Sequence, residues 1–129
     1  MNVFYHIDKM RRYIESLGFT DVNPQAYSGG ILCDPHGLNG DDNSHFIPSQ
    51  DRLAWGEGGV DDAEDADVIW HEFGHAIQDF IVAGFQGNEG LGEGFADYWA
   101  ESYSRSLGTW AKTDEEYNWV YGWDGHNEF

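Results

Sequence analysis

The sequence predicts an α+β domain: one helix, then a run of short strands, then two further helices. Apolar residues recur at helical spacing in three separate stretches, and between the first two stretches they fall into short clusters set apart by Gly, Pro, Asn and Asp. Glycines mark where the helices stop.

The opening segment carries Phe4, Ile7, Met10 or Arg11, Ile14 and Leu17 at helical spacing and stops at Gly18, which reads as an amphipathic helix of about four turns. From Asp21 to Gly59 the apolar pieces Tyr27, Ile31–Cys33, His45–Ile47 and Leu53–Trp55 read as short strands joined by turns. The acidic run Asp61–Asp65 suits the positive end of a helix. Ile69, Phe73, Ala76, Ile77 and Phe80 then continue one apolar face, so a long helix is expected from residue 62 to Ala83. Gly84 to Gly92 contains four glycines and breaks it. Phe95, Ala96, Tyr98, Trp99, Tyr103 and Leu107 give a last helix ending at Gly108, and the aromatic tail to Phe129 has no clear period.

With 129 residues, 40% hydrophobic and 16% aromatic, the chain fits one small domain with a single core, and it shows no repeat, linker or second domain boundary. Six Lys and Arg against 24 Asp and Glu leave a formal charge of -18, which repels phosphate backbones and acidic membrane surfaces. Nucleic acid and membranes are thereby excluded as expected partners. No apolar run reaches the roughly 18 residues of a membrane-spanning helix, and the start lacks the layout of a signal peptide. Cys33 is the single cysteine, so neither an intrachain disulfide nor a cysteine zinc cluster is available. A small buried side chain is the preferred reading of Cys33 over a thiol that caps a metal. Any metal must be held by His, Asp or Glu.

Those residue types converge in the long helix, which reads His71-Glu72-Phe73-Gly74-His75. Side chains at i and i+4 lie about 40° apart around a helix and roughly 6 Å along it, so both imidazoles can reach one zinc. Glu72 falls on the adjoining side, where a general base belongs. Two protein ligands are too few for a catalytic zinc, and the next helix offers a third in Gly92-Glu93-Gly94-Phe95-Ala96-Asp97. Glu93 is preferred over Glu89, which lies in the glycine-rich stretch and has no acid four residues on. Asp97, one turn after Glu93, is placed to accept the free N–H of a ligand imidazole, His71 first, and so to fix its tautomer.

The order H-E-x-x-H, then E-x-x-x-D, resembles the gluzincin metallopeptidases. HEFGHAIQD and GEGFADYWA are similar to the corresponding helices of the thermolysin and fungalysin families. NVFYHIDKMRRYIESLGF resembles the helix that opens their catalytic domain. Asn43-Ser44-His45-Phe46, followed by Ser49-Gln50 and Gly56-Glu57-Gly58-Gly59, resembles their edge strand and the turn behind it. The resemblance covers residues 2 to 107. It implies a zincin-like catalytic subdomain whose small mixed sheet borders the cleft with its last strand, and an extracellular, secreted zinc endopeptidase acting on peptides or proteins. His71, His75 and Glu93 would hold zinc, Glu72 would be the general base and Asp97 would support His71. Asn43 and the backbone of Ser44 would hold an extended peptide by strand addition. Val68 would shape the pocket just past the scissile bond, with a place in the core as the equal alternative.

The chain also departs from these families. They take an oxyanion-stabilising Tyr from between the two zinc helices, but residues 76 to 92 contain none, and Phe85 and Gln86 lie nearest its place. A second helical lobe would supply a catalytic His, and 129 residues do not reach it, so the chain reads as a fragment of a longer peptidase. His126, in the tail WDGHNEF, resembles the H-x-x-G-E-x-W stretch of the fungalysin group and is the candidate for that role; otherwise it is a solvated side chain near a frayed end. Calcium is a second possible cofactor, because Asp61–Asp67 offers hard oxygen ligands, with a solvated helix start as the preferred reading. His6, His36 and His45 have no companion at ligand spacing. The rival to hydrolysis is a zinc-loaded, catalytically feeble peptide-binding or structural module.

Overall fold

A computed structural model describes residues 1–20, 30–82 and 89–121. Helix α1 (Asn2–Ser16) ends where Gly18 takes φ 91°, a conformation only glycine adopts without strain. It meets the core through Val3, Met10 and Ile14, whereas Phe4 and Leu17 face solvent. Spacing alone puts Phe4 on the inner face. The inner stripe instead starts one residue earlier, because Val3, Met10 and Ile14 at i, i+7 and i+11 satisfy the helical period equally well.

Three short strands follow: β1 (Leu32–Asp34), β2 (Ser44–Ile47) and β3 (Arg52–Trp55), in the order β1-β3-β2. β3 runs parallel to β1 and antiparallel to β2, with Ser44 opposite Trp55 and Ile47 opposite Arg52. The last strand among the described residues is therefore the central one. Leu53, Ala54 and Trp55 are wholly buried there, and β2 forms the edge that borders the cleft. Cys33, on the outer strand β1, is exposed rather than buried. Tyr27 lies outside the described residues.

The long helix is shorter than its apolar period predicts. Asp61 caps a 3₁₀ turn over Asp62–Glu64 by accepting the Ala63 N–H at 3.0 Å, and Asp65 caps α2 (Ala66–Ile81) by accepting the Asp67 N–H at 2.7 Å. The acidic run is thus two caps in series. It is not a solvated helix start: Asp62, Asp65 and Asp67 are all buried. Ser44 of β2 donates its hydroxyl to Asp62 at 2.6 Å and ties the edge strand to this turn. Ser44→Ala leaves that buried carboxylate short of one hydrogen bond, and its unfolding free energy in urea should fall by about 1–3 kcal/mol. A midpoint equal to that of the parent would show that the bond contributes nothing.

Helix α3 spans Glu89–Leu107 and ends before Gly108, φ 66°. Glu89 to Gly92, expected in the glycine-rich break, already belong to this helix. Ala83, Phe85 and Gln86 lie outside the described residues. α2 and α3 pack closely at Gly74, where a Cβ would sit 3.2 Å from the Ala96 Cα. Trp55, Trp70, Phe73, Met10, Ile14 and Ile69 fill the space between α1, the sheet and α2. A 3₁₀ turn (Glu115–Asn118) then brings the chain to Tyr121, which packs against this core. Among the described residues no helix is long and apolar enough to cross a membrane. The described chain is a small α+β fold of three α-helices and a three-stranded mixed sheet.

Candidate metal centre

α2 lies along one side of a cleft of about 520 Å³, and β2 borders the same cleft. The helical period that buries Ile69, Phe73, Ala76 and Ile77 turns Val68, Glu72, His75 and Asp79 toward this space. His71, with only 7% of its side chain exposed, lines the cleft as well.

Three donor atoms converge at its floor. His71 Nε2 and His75 Nε2 are 3.0 Å apart, and Glu93 Oε2 from α3 lies 3.1 Å from the first and 3.4 Å from the second. A tetrahedral zinc with bonds of about 2.0–2.1 Å requires donor separations of about 3.3–3.4 Å. The triangle matches that spacing within a few tenths of an ångström. Two imidazole nitrogens facing one another at hydrogen-bond distance can share at most one proton, so the cluster favours a cation.

The other nitrogen of His71 points away from this triangle. Nδ1 lies 2.8 Å from Asp97 Oδ1 and 3.2 Å from the hydroxyl of Tyr121, which is itself 3.3 Å from the same carboxylate oxygen. With the Nδ1 proton donated to Asp97, Nε2 presents its lone pair to the triangle. Burial disfavours charge on His71, yet hydrogen bonds to Asp97 and Glu93 and the nearby Glu72 outweigh it and raise its pKa to about 9. His75 shifts the other way, through burial and the neighbouring His71. Glu93, hydrogen-bonded to His71, is held below the usual carboxylate range.

Glu72 is buried in the wall of the cleft. Burial lifts its carboxyl to about 7, against the opposing pull of His71 and of a hydrogen bond from the Phe46 backbone. A carboxyl with such a pKa can take up and release a proton near neutrality.

The structure therefore brings together His71, His75, Glu93, Asp97 and Glu72 as their spacing predicts. Asn43, Ser44 and Val68 line the same cleft. Val68 is also part of the core, so it packs inside and lines the cleft at once. The Ser44 N–H donates to the Asn43 side chain at 2.9 Å, so the edge strand carries an internal partner at that point. His126 lies outside the described residues. Three residues are in places spacing does not predict. Tyr121 supports the His71–Asp97 pair, His45 lines the cleft, and His36 meets Glu57 and Asp61. No periodicity links Tyr121 to His71 fifty positions earlier. The only hint was an aromatic residue in a tail otherwise hard to read.

No family model, curated protein or solved structure matches the chain.

The support given to His71 is open to measurement. Asp97→Asn keeps the shape of the side chain but removes the charge that orients the imidazole, and zinc affinity should fall by about 10–100-fold. Competition with a chromophoric chelator gives the constant. Unchanged affinity would reduce Asp97 to a helix residue that happens to lie nearby.

Proposed function

We infer that the chain is a zinc-dependent endopeptidase domain of gluzincin type, with a zincin-like fold. The observation that carries this reading is the triangle of His71, His75 and Glu93 on the floor of a cleft whose wall holds the buried carboxyl of Glu72. Zinc bound by these three residues would lower the pKa of a water toward neutrality and polarise a scissile carbonyl.

The remaining work falls to the chain's own groups. Glu72 takes a proton from water at the cleft floor and delivers it to the leaving amine, a cycle suited to its raised pKa. Asp97 and Tyr121 hold His71 in one orientation. β2 borders the cleft beside Asn43, Ser44 and Val68, where an extended peptide would lie, its own N–H groups at Ser44 and Phe46 being held by Asn43 and Glu72. Tyr121 also lines the cleft, but its hydroxyl is engaged by Asp97 and His71, so an oxyanion donor must come from another group.

Hydrolysis of casein by the zinc-loaded protein, arrested by phenanthroline and restored by added zinc, is the deciding assay. Stoichiometric zinc with peptide binding but no cleavage would favour the binding module instead.

A further inference from the structure

We propose that His36, Glu57 and Asp61 form a second cation site, separate from the cleft, that takes a divalent first-row transition ion such as zinc or manganese. In the sequence Glu57 stands four residues before Asp61, and His36 stands 21 before Glu57. The fold brings one donor atom of each within 4.8 Å of the others, and His36 Nδ1 already lies 2.8 Å from Glu57 Oε1. None of the three lines the cleft or belongs to the His71 cluster.

Each ligand stands on a backbone that is locked in place. His36 follows β1, where its N–H bonds to Asp34 Oδ1 at 3.2 Å, and the next residue, Gly37, bonds to the Trp55 carbonyl at 2.9 Å. Glu57 sits between Gly56 and Gly58, whose absent side chains let this turn lie against the 41–43 segment. A Cβ would fall 1.9 Å from the Asp41 oxygen at the first and 2.5 Å from the Asp42 nitrogen at the second. Asp61 is fixed by its cap on Ala63. Two segments distant in sequence, the turn after β1 and the 56–61 stretch, thus hold their donors without needing to refold.

The donor set selects the ion. Calcium and magnesium prefer all-oxygen shells, whereas one imidazole and two carboxylates suit zinc, manganese or cobalt, with water completing the shell. In a chain of formal charge -18, a divalent cation at this point also relieves repulsion between the two carboxylates. The bound ion would clamp the 35–40 loop and the 56–59 turn to the 3₁₀ turn that precedes α2. Its role is therefore structural, and it is independent of whether the cleft hydrolyses peptides.

The test is equilibrium dialysis against zinc with metal analysis, read as ions per chain. The full chain should hold two, His36→Ala combined with Glu57→Gln should hold one, and His71→Ala combined with His75→Ala should also hold one. Because a double variant can fail to fold, manganese is added to the unaltered protein and the ring signals of each His are followed by NMR. Selective broadening of His36, alongside His71 and His75, supports the site. A His36 signal that does not respond, or a His36/Glu57 variant that still holds as many ions as the parent, overturns it and leaves an ion pair only.

Discussion

Glu72→Gln should lower peptide hydrolysis by about 10²–10⁴-fold, the range for loss of a positioned acid–base group, while zinc remains bound. Gln matches the shape of Glu but can neither accept nor carry the proton. The same substitution has a second signature in the metal-free protein. Burial raises the folded-state pKa of Glu72 to about 7, above its ordinary value, so the folded chain holds a proton that the unfolded chain has already lost. Stability contributed by this group is accordingly present at low pH and lost as pH rises from the ordinary carboxylate range through about 7. Urea midpoints of the metal-free parent should fall across that window more steeply than those of Glu72→Gln. Parallel curves, or full activity in the variant, would remove Glu72 from its assigned role.

Zinc itself should be the other large effect. A ligand that binds only the folded state at about a thousand times its Kd stabilises by about 4 kcal/mol. For a chain of this size that corresponds to a thermal midpoint raised by roughly 10–20 °C. His75→Ala should abolish most of that rise, because it removes one corner of a triangle whose other corners are 3.0 and 3.4 Å away. Scanning calorimetry with and without zinc, on parent and variant, gives the comparison. A variant that gains as much as its parent would mean that the stabilising ion sits elsewhere.

What could be read from the chain depended on how local each signal was. The helical period placed α2 and α3, and with them the i, i+4 pairs His71/His75 and Glu93/Asp97 and, beside the first of these, Glu72. Boundaries were harder. Glu89 to Gly92 join α3 although three glycines at 90, 92 and 94 disfavour a helix there, since tertiary packing overrides weak local preference. The acidic run looks like solvated charge until Asp61 and Asp65 are seen to cap successive turns. The positions of Tyr121 beside His71 and of His36 beside Glu57 and Asp61 are products of tertiary structure, and no spacing rule reaches them. Burial followed a similar division. Three consecutive apolar residues of β3 are central, but Cys33, in an equally apolar triplet, falls on the outer strand.

The close packing of Gly74 on Ala96 bears on how such a site can be altered. Glu93 stands three residues before Ala96 and His71 three before Gly74, so the two backbones meet one helical turn from the ligands they carry. The separation of the two helices from which these side chains reach is thereby set by main chain. A bulkier residue at either position acts as a wedge near a fulcrum: it leaves every ligand chemically intact and displaces the donors relative to one another. For donors that would have to meet on one ion within a few tenths of an ångström, variation at positions 74 and 96 would be limited by the radius of an ion neither residue touches.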